Sequence, residues 1–305
     1  MKEMNLLFVG GSHCGKSSLM TAMLRDWTVG LPDWIPLEAR LVEEYVPAAL
    51  SMNLVQLDKR EKPLKVSRPA DGYVATLQVR RKSSTSLWYW MDWWDFLRGK
   101  SSLWKRDGIL IHVYELSVQN PGWQEWLAEH PLSQTPLGMV LVVDPFAEKR
   151  EMSYSQWERL DAGVVLEELL HGLDQVYAKH PSERLPIPTA VAFTKTDVRH
   201  LHKTLGGYSS LAARNVAILH RTRDYEMESQ SRVMKRLLEG SSSQIQEILR
   251  PHRGNFVHLL SHSLEPIAYF ITTAWEPHDF YRHSKGVLRG ATLPLLWLLG
   301  EEMEY

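Results

Sequence analysis

Residues 4–27 of the chain read MNLLFVGGSHCGKSSLMTAMLRDW, an apolar run that leads into a glycine-rich turn and then into helix-forming residues. The apolar run, residues 6–9, predicts a buried strand, and residues 18–24 predict a helix. A turn between a strand and a helix directs backbone N–H groups and the positive end of the helix dipole to one point. This stretch therefore predicts an anion-binding loop, and the rest of the chain can be placed relative to it.

The turn itself, residues 10–17, fits the pattern G-x-x-x-x-G-K followed by Ser or Thr, which is the phosphate-binding P-loop. Its glycines let successive N–H groups face phosphate oxygens, and Lys16 places a mobile cation on the β- and γ-phosphates. We predict Lys16 as the catalytic residue and the Ser17 hydroxyl as a ligand of Mg²⁺. The predicted nucleotide-binding residues of this loop are Gly10, Gly11, Ser12, His13, Cys14, Gly15, Lys16, Ser17 and Ser18.

Composition is that of an ordinary globular protein. The chain has 305 residues, of which 44% are hydrophobic and 23% are charged, and its formal net charge is -1. This balance gives no reason to expect an obligate nucleic-acid partner. The single cysteine, Cys14, excludes an intrachain disulfide, and the predicted first strand leaves no room for a signal peptide. Because the apolar stretch 293–299 is too short to cross a bilayer, we expect a cytoplasmic protein without a transmembrane segment.

The remaining chain alternates predicted strands and helices. Strands are predicted at residues 73–80, 108–115, 139–145, 188–197 and 266–274, and helices at 157–179, 222–249 and 287–300. Residues 240–243, Gly-Ser-Ser-Ser, are expected to break the second of these helices, and residues 28–68 give no clear assignment. Crossovers of this length favour parallel strands. We predict an α/β fold of the three-layer P-loop NTPase type, with a mostly parallel central sheet and helices on both faces. It is expected to form a single domain, 1–305, with insertions around 28–72, 83–107 and 200–255.

A second informative element, Thr194-Lys195-Thr196-Asp197, follows one of the apolar strands. The carboxylate of Asp197 can accept two hydrogen bonds from the N–H donors on the edge of guanine, a pair of donors that adenine lacks. The aliphatic stem of Lys195 can pack over the purine ring. An unpaired carboxylate would penalise the wrong base, so this element predicts guanine selectivity, with a surface turn as the alternative.

Together these elements resemble the P-loop GTPases of the Ras-like and translation-factor class, which read guanine through Asn-Lys-x-Asp or Thr-Lys-x-Asp. The order is similar: a P-loop, a strand ending in Asp144, a strand ending in residues 194–197, and a last strand ending in Thr272-Thr273-Ala274, which is similar to the Ser-Ala loop that contacts the guanine carbonyl. More narrowly, FVGGSHCGKSSLM, VLVVDPF and VAFTKTD resemble bacterial double-GTPase-type domains of conflict, or defence, systems. The resemblance implies bound GTP or GDP with Mg²⁺. It adds Thr194, Lys195, Asp197, Thr273 and Ala274 to the nucleotide-binding residues.

The sequence departs from this family after its third strand. Family members carry Asp-x-x-Gly there, whereas this chain has Glu115-Leu116-Ser117-Val118. Glu115 still offers a carboxylate to Mg²⁺ with a longer reach, but no glycine follows three residues later. No water-orienting glutamine and no first-switch threonine stand out. The expectation is therefore a nucleotide-dependent switch or assembly component, in which hydrolysis of GTP is slow or depends on a partner.

Two other functions stay open. Asp144 also ends an apolar strand, the pattern of the metal-binding acid in P-loop ATPases, and would then replace Glu115 in a P-loop ATPase or small-molecule kinase. In the third interpretation, the fold is a non-hydrolysing scaffold for protein interaction. Preference among nucleotides separates these possibilities.

Residues 83–107 are unusually aromatic, with Trp88, Tyr89, Trp90, Trp93, Trp94, Phe96 and Trp104. Core packing and an exposed docking surface are both consistent with this composition, whereas the mixed charges of the segment disfavour a membrane surface. A protein partner that docks through residues 88–104, beside the expected switch regions, is our prediction.

The 13 histidines suggest a metal site at first sight, particularly the pairs at 200 and 202 and at 278 and 283. Neither pair is accompanied by a cysteine pair or an HExxH pattern. We therefore predict that these histidines bind no metal.

Overall fold

The computed structural model describes residues 2–11, 14–29, 31, 37–44, 72–81, 108–118, 123–129, 136–144, 162–177, 184–194, 227–272 and 290–303. Its strands are β1 (Lys2–Gly10), β2 (Leu37–Glu44), β3 (Tyr73–Arg81), β4 (Ile109–Leu116), β5 (Leu137–Val143), β6 (Thr189–Phe193) and β7 (Ile267–Ile271). Its helices are α1 (Lys16–Val29), α2 (Trp123–Glu129), α3 (Ala162–Tyr177), α4 (Met227–Ser263) and α5 (Leu293–Met303), and a 3-10 turn, Gly290–Thr292, precedes α5.

These strands form one sheet in the order β2-β3-β4-β1-β5-β6-β7. From β4 to β7 all neighbouring strands are parallel, while β3 pairs antiparallel with both β2 and β4. The strand that leads into the glycine-rich loop, β1, therefore lies between β4 and β5. The predicted mostly parallel sheet is confirmed.

Side chains of β1 alternate between two cores. Met4, Leu6 and Phe8 pack in the cluster that contains α1 and α5. Leu7 and Val9 pack on the opposite face with α2, α3 and the carboxyl-terminal half of α4. A parallel strand covered on both faces carries a continuous apolar run, which is why the sequence of β1 is so distinctive. Helices on both faces of the sheet confirm the predicted three-layer α/β class.

The strand β2 was not assigned from the sequence. Its residues, LEARLVEE, are half apolar and half charged and alternate only over residues 37–41, and β2 lies at the edge of the sheet with Arg40 and Val42 exposed. A shift of register between Leu41 and Glu43 interrupts the alternation of side chains further. Pairing with β3 over this whole length decides the structure here, since the local pattern is too weak to indicate a strand.

The predicted break in the helix at residues 240–243 is wrong. Helix α4 runs without interruption from Met227 to Ser263. Ser241 and Ser242 are buried, and the Ser242 Oγ accepts a hydrogen bond from the backbone N–H of Tyr269 in β7 at 2.8 Å. This packing against the edge strand outweighs the cost of about 1 kcal/mol for a glycine at position 240. Small polar residues mark a close helix–strand contact here, and α4 protects the edge of the sheet.

Candidate functional site

Those predicted site residues that the structure describes lie at one edge of the sheet. Because β1, β4, β5, β6 and β7 are parallel, their carboxyl ends all lie there, and we call this side the carboxyl edge. Sites of open α/β sheets form in the crevice beyond the carboxyl ends of the strands. The residues that reach the carboxyl edge are Gly10, Glu115, Asp144, Thr194 and Thr272.

The glycine-rich loop has two positions where only glycine fits. A Cβ at Gly10 would lie 2.4 Å from the carbonyl oxygen of Val142 and 2.8 Å from the Cys14 Sγ. Gly15 has a φ of 96°, a conformation that side chains with a Cβ rarely adopt, and its carbonyl accepts the first hydrogen bond of α1 from the Leu19 N–H at 2.9 Å. The loop therefore joins β1 to α1 through a tight turn that is pressed against β5.

The Lys16 side chain extends back to the start of this loop. Its side chain is buried, and its Nζ donates hydrogen bonds to the carbonyl oxygens of Gly10 at 2.7 Å and Gly11 at 2.8 Å. A buried ammonium needs such partners because its desolvation is costly. These two contacts hold a positive charge at the amino-terminal end of α1, where the helix dipole also favours an anion.

Ser17 and Glu115 are in direct contact. The Ser17 Oγ donates a hydrogen bond to the Glu115 Oε1 at 2.8 Å, although the two residues are 98 positions apart in the chain. The contact arises because β4 pairs with β1 so that Glu115 lies beside Phe8, two residues before the loop begins. Hydroxyl and carboxylate oxygens are ligands that Mg²⁺ prefers. The structure thus brings together both residues that the sequence predicted as metal ligands.

Gly72 helps to position Glu115, a role that the sequence motifs described above do not indicate. Its carbonyl accepts a hydrogen bond from the Glu115 N–H at 2.9 Å, and its φ is +70°. A Cβ there would lie 2.6 Å from the Glu115 carbonyl oxygen. The available signal was the dipeptide Asp-Gly directly before a strand, which is typical of a turn.

Asp144 reaches the same edge from the other side. It follows β5, the second neighbour of β1, and is buried. Strand order alone therefore does not distinguish Asp144 from Glu115 as a metal-binding acid. The two acids differ in their contact with Ser17. A hydroxyl has a single proton to donate, and Ser17 donates it to Glu115.

Thr194 connects the second sequence element to the glycine-rich loop. Its hydroxyl donates a hydrogen bond to the carbonyl oxygen of Cys14, 180 residues away, and lies 3.3 Å from the carbonyl oxygen of Val143. On the next strand, the Thr272 N–H donates to the Phe193 carbonyl at 2.8 Å. The ends of β6 and β7 are therefore adjacent, and the first residue of the predicted base-reading tetrapeptide lies against the loop.

Several predicted residues lie outside the described part of the chain. They are Ser12, His13, Lys195, Asp197, Thr273 and Ala274, the aromatic segment 88–104 and the histidines at 200, 202, 278 and 283. Ser18 is described in the first turn of α1 and is half-buried.

Within the described ranges, no group of three or more His, Cys, Asp or Glu side chains is arranged to hold a metal ion. A metal at Ser17 and Glu115 would accordingly need further ligands from phosphate or water, as Mg²⁺ usually has. In the same part of the chain, no helix has both the length and the apolar character needed to cross a bilayer.

Two solved structures are similar to this chain, both at low identity. No family model matches the sequence, and no curated protein matches it. Among solved structures, the chain is similar to Sup35 in complex with GMPPNP, with 11% identity and a TM-score of 0.34 over 98% of this chain and 44% of that one. It is also similar to the conserved domain of the dynein light intermediate chain, with 11% identity and a TM-score of 0.32 over 96% of this chain and 74% of that one. Similarity at this level carries no argument about function, which has to come from the site.

Proposed function

We propose that this protein binds GTP or GDP together with Mg²⁺ and acts as a nucleotide-dependent switch or assembly component of the P-loop GTPase type. The observation that carries the proposal is the hydrogen bond between Ser17 and Glu115 beside the buried ammonium of Lys16. An anion site and a hard-metal site next to each other are what a nucleotide phosphate chain with its Mg²⁺ requires.

Two oxygen donors would hold the metal at this position. The Ser17 Oγ and the Glu115 Oε1 are already within hydrogen-bond distance, at 2.8 Å. A hydroxyl and a carboxylate are the kind of ligand that Mg²⁺ prefers, and phosphate and water would supply the remaining ligands.

Phosphate binding would use the glycine-rich loop and Lys16. Nucleotide phosphates at the start of α1 would meet the backbone N–H groups of the loop and the ammonium that now bonds to Gly10 and Gly11. In hydrolysis, Lys16 would neutralise charge on the γ-phosphate during in-line attack by water. Ser17 and Glu115 would hold Mg²⁺, which supplies further positive charge when it is bound. Glu115 in place of the family's aspartate, without a following glycine, favours slow or partner-dependent turnover.

Base recognition is assigned to residues 194–197 and to the segment after β7. The hydrogen bond from Thr194 to Cys14 supports this assignment, because it holds the start of the tetrapeptide next to the phosphate loop. Lys195 and Asp197 would then contact the purine, and Thr273 and Ala274 would approach it from the neighbouring strand. The narrower sequence resemblance suggests a role in bacterial defence, with a protein partner bound through residues 88–104.

Nucleotide titration tests the proposal. Purified protein is titrated with GTP, GDP and ATP in the presence of Mg²⁺, and phosphate release is followed. We expect guanine nucleotides to bind in preference to ATP and Lys16→Ala to abolish binding, while Lys2→Ala, at the opposite end of β1, serves as the matched control. Preference for ATP would favour the ATPase or kinase alternative, and absence of binding would favour the scaffold.

The metal-binding acid is tested separately by comparing GDP affinity in Mg²⁺ and in excess chelator. Glu115→Gln removes the charge and keeps the size of the side chain. We therefore expect the gain in GDP affinity from chelator to Mg²⁺ to be at least about tenfold smaller than in the wild type. Asp144→Asn is the matched control and should retain the metal dependence. The reverse result would assign the metal to Asp144.

A further inference from the structure

His258 and His262 lie one turn apart near the carboxyl-terminal end of α4. Both side chains are exposed, and their ring centroids are 4.1 Å apart with an angle of 67° between the ring planes. Residues four positions apart lie on the same face of a helix, one above the other. Two histidines with this spacing are the zinc-binding part of the HExxH motif.

We propose that these two residues, called the histidine pair, bind a divalent transition metal such as Zn²⁺. Zn²⁺ binds imidazole nitrogen at about 2.0–2.1 Å, and in tetrahedral geometry two bound rings have centroids about 5 Å apart. The rings of the histidine pair would have to separate by about 1 Å, which two exposed side chains achieve by rotation about their own bonds. A cation there is also favoured by the negative end of the dipole of α4.

The chemistry of the histidine pair differs from that of the carboxyl edge. Imidazole nitrogen suits Zn²⁺, Cu²⁺ or Ni²⁺, whereas Mg²⁺ prefers oxygen ligands. Since no third His, Cys, Asp or Glu joins the pair among the described residues, the remaining ligands would be water or a group from another molecule. Such an open site is suited to reversible binding.

Its location separates the histidine pair from the proposed nucleotide site. α4 ends at Ser263 and β7 begins at Ile267, so the pair lies toward the amino ends of the parallel strands. The glycine-rich loop and Glu115 are at the carboxyl edge, which is at the opposite ends of these strands. The two sites are therefore independent, and binding of Zn²⁺ by the histidine pair does not require that the protein binds a nucleotide.

The test is calorimetric titration of the metal-stripped full-length protein with ZnCl₂. We expect His258→Ala and His262→Ala each to remove one binding equivalent or to weaken it at least about tenfold, since loss of even an outer partner of a metal ligand costs about 10–100-fold. The matched control is His171→Ala, because His171 is exposed on α3 one turn from Gln175, with a Nε2–Nε2 distance of 2.9 Å, and α3 carries no second histidine.

A second readout identifies the ligands directly. In the wild-type protein, Zn²⁺ should shift the imidazole nitrogen resonances that disappear in the two single variants. Equal zinc binding by His258→Ala, His262→Ala and the wild type would overturn the proposal, and so would an equal loss in His171→Ala. Circular dichroism and thermal unfolding should show unchanged folding in all three variants because the substituted side chains are exposed.

Discussion

Thr194→Val should weaken both the fold and the nucleotide site. The Thr194 side chain is 3% exposed, and its hydroxyl donates to the carbonyl oxygen of Cys14 in the glycine-rich loop. Valine has nearly the same shape but no donor. The hydrogen bond from the backbone N–H of residue 194 to the Val143 carbonyl, at 2.9 Å, does not involve the side chain and should remain. The substitution therefore removes one connection between β6 and the loop.

The magnitude follows from the burial of this contact. Loss of a buried hydrogen bond that leaves an acceptor without its partner costs about 1.5 kcal/mol. For 305 residues, an entropy of unfolding of about 2.1 cal/mol/K per residue converts this loss into a Tm lower by about 2–3 °C. A protein with a typical stability of about 5–15 kcal/mol stays folded at room temperature after such a loss. A change in the Kd for GDP at room temperature would therefore reflect a change in the glycine-rich loop and not unfolding of the protein.

Thermal unfolding and GDP titration in Mg²⁺ measure the two effects. If the bond positions the loop for phosphate, the Kd of Thr194→Val should rise by up to about tenfold, which corresponds to about 1.4 kcal/mol. Thr194→Ser is the matched control, because it keeps the hydroxyl and loses only a methyl group. If valine lowers neither the Tm nor the affinity more than serine does, the Thr194 hydroxyl neither stabilises the fold nor positions the loop.

Four further predictions concern residues packed around the sheet. Gly172→Ala should lower the free energy of unfolding by about 1–2 kcal/mol, because its Cβ would lie 2.0 Å from the Trp123 ring and overpacking outweighs the gain in helix propensity. Gly240→Ala, with nothing within 4 Å of its Cβ, should instead raise it by about 0.5–1 kcal/mol, and urea unfolding distinguishes the two signs. Ser242→Ala should lower it by about 1–3 kcal/mol and speed hydrogen exchange of the Tyr269 amide, which loses its acceptor; unchanged exchange would contradict the contact. Burial raises the pKa of Tyr269 from 10.0 to about 12. The contribution of this side chain to the free energy of unfolding should therefore be fully present below pH 10 and be lost as the pH rises toward 12. Tyr269→Phe should remove part of this loss in alkaline unfolding curves.

The conformation of the glycine-rich loop could be predicted from residues that are close together in the chain. Gly10 and Gly15 are required by a close contact and by a positive φ, both of which a P-loop pattern anticipates. The apolar runs of β1, β5 and β6 also indicate buried parallel strands directly, since every residue of β5 and β6 is buried. The three-layer class and the mostly parallel sheet were predictable for this reason.

The sequence predicts the candidate site as a set of residues but does not predict the contacts between them. Asp144 and Glu115 both end strands beside β1, and the sequence pattern offers either one as the metal-binding acid. The contact with the Ser17 hydroxyl depends on the register between β4 and β1, which covers residues about a hundred positions apart. No local pattern records that register.

By itself, then, the sequence determined the α/β class, the loop and the strands whose burial makes them continuously apolar, because these features depend on residues that are neighbours in the chain. Only the tertiary structure decided that residues 37–44 form a strand, that α4 continues through residues 240–243, and that Glu115 contacts Ser17. Each of these depends on a partner far away in the chain, and the free energy gained from that partner exceeds the small local preference against it.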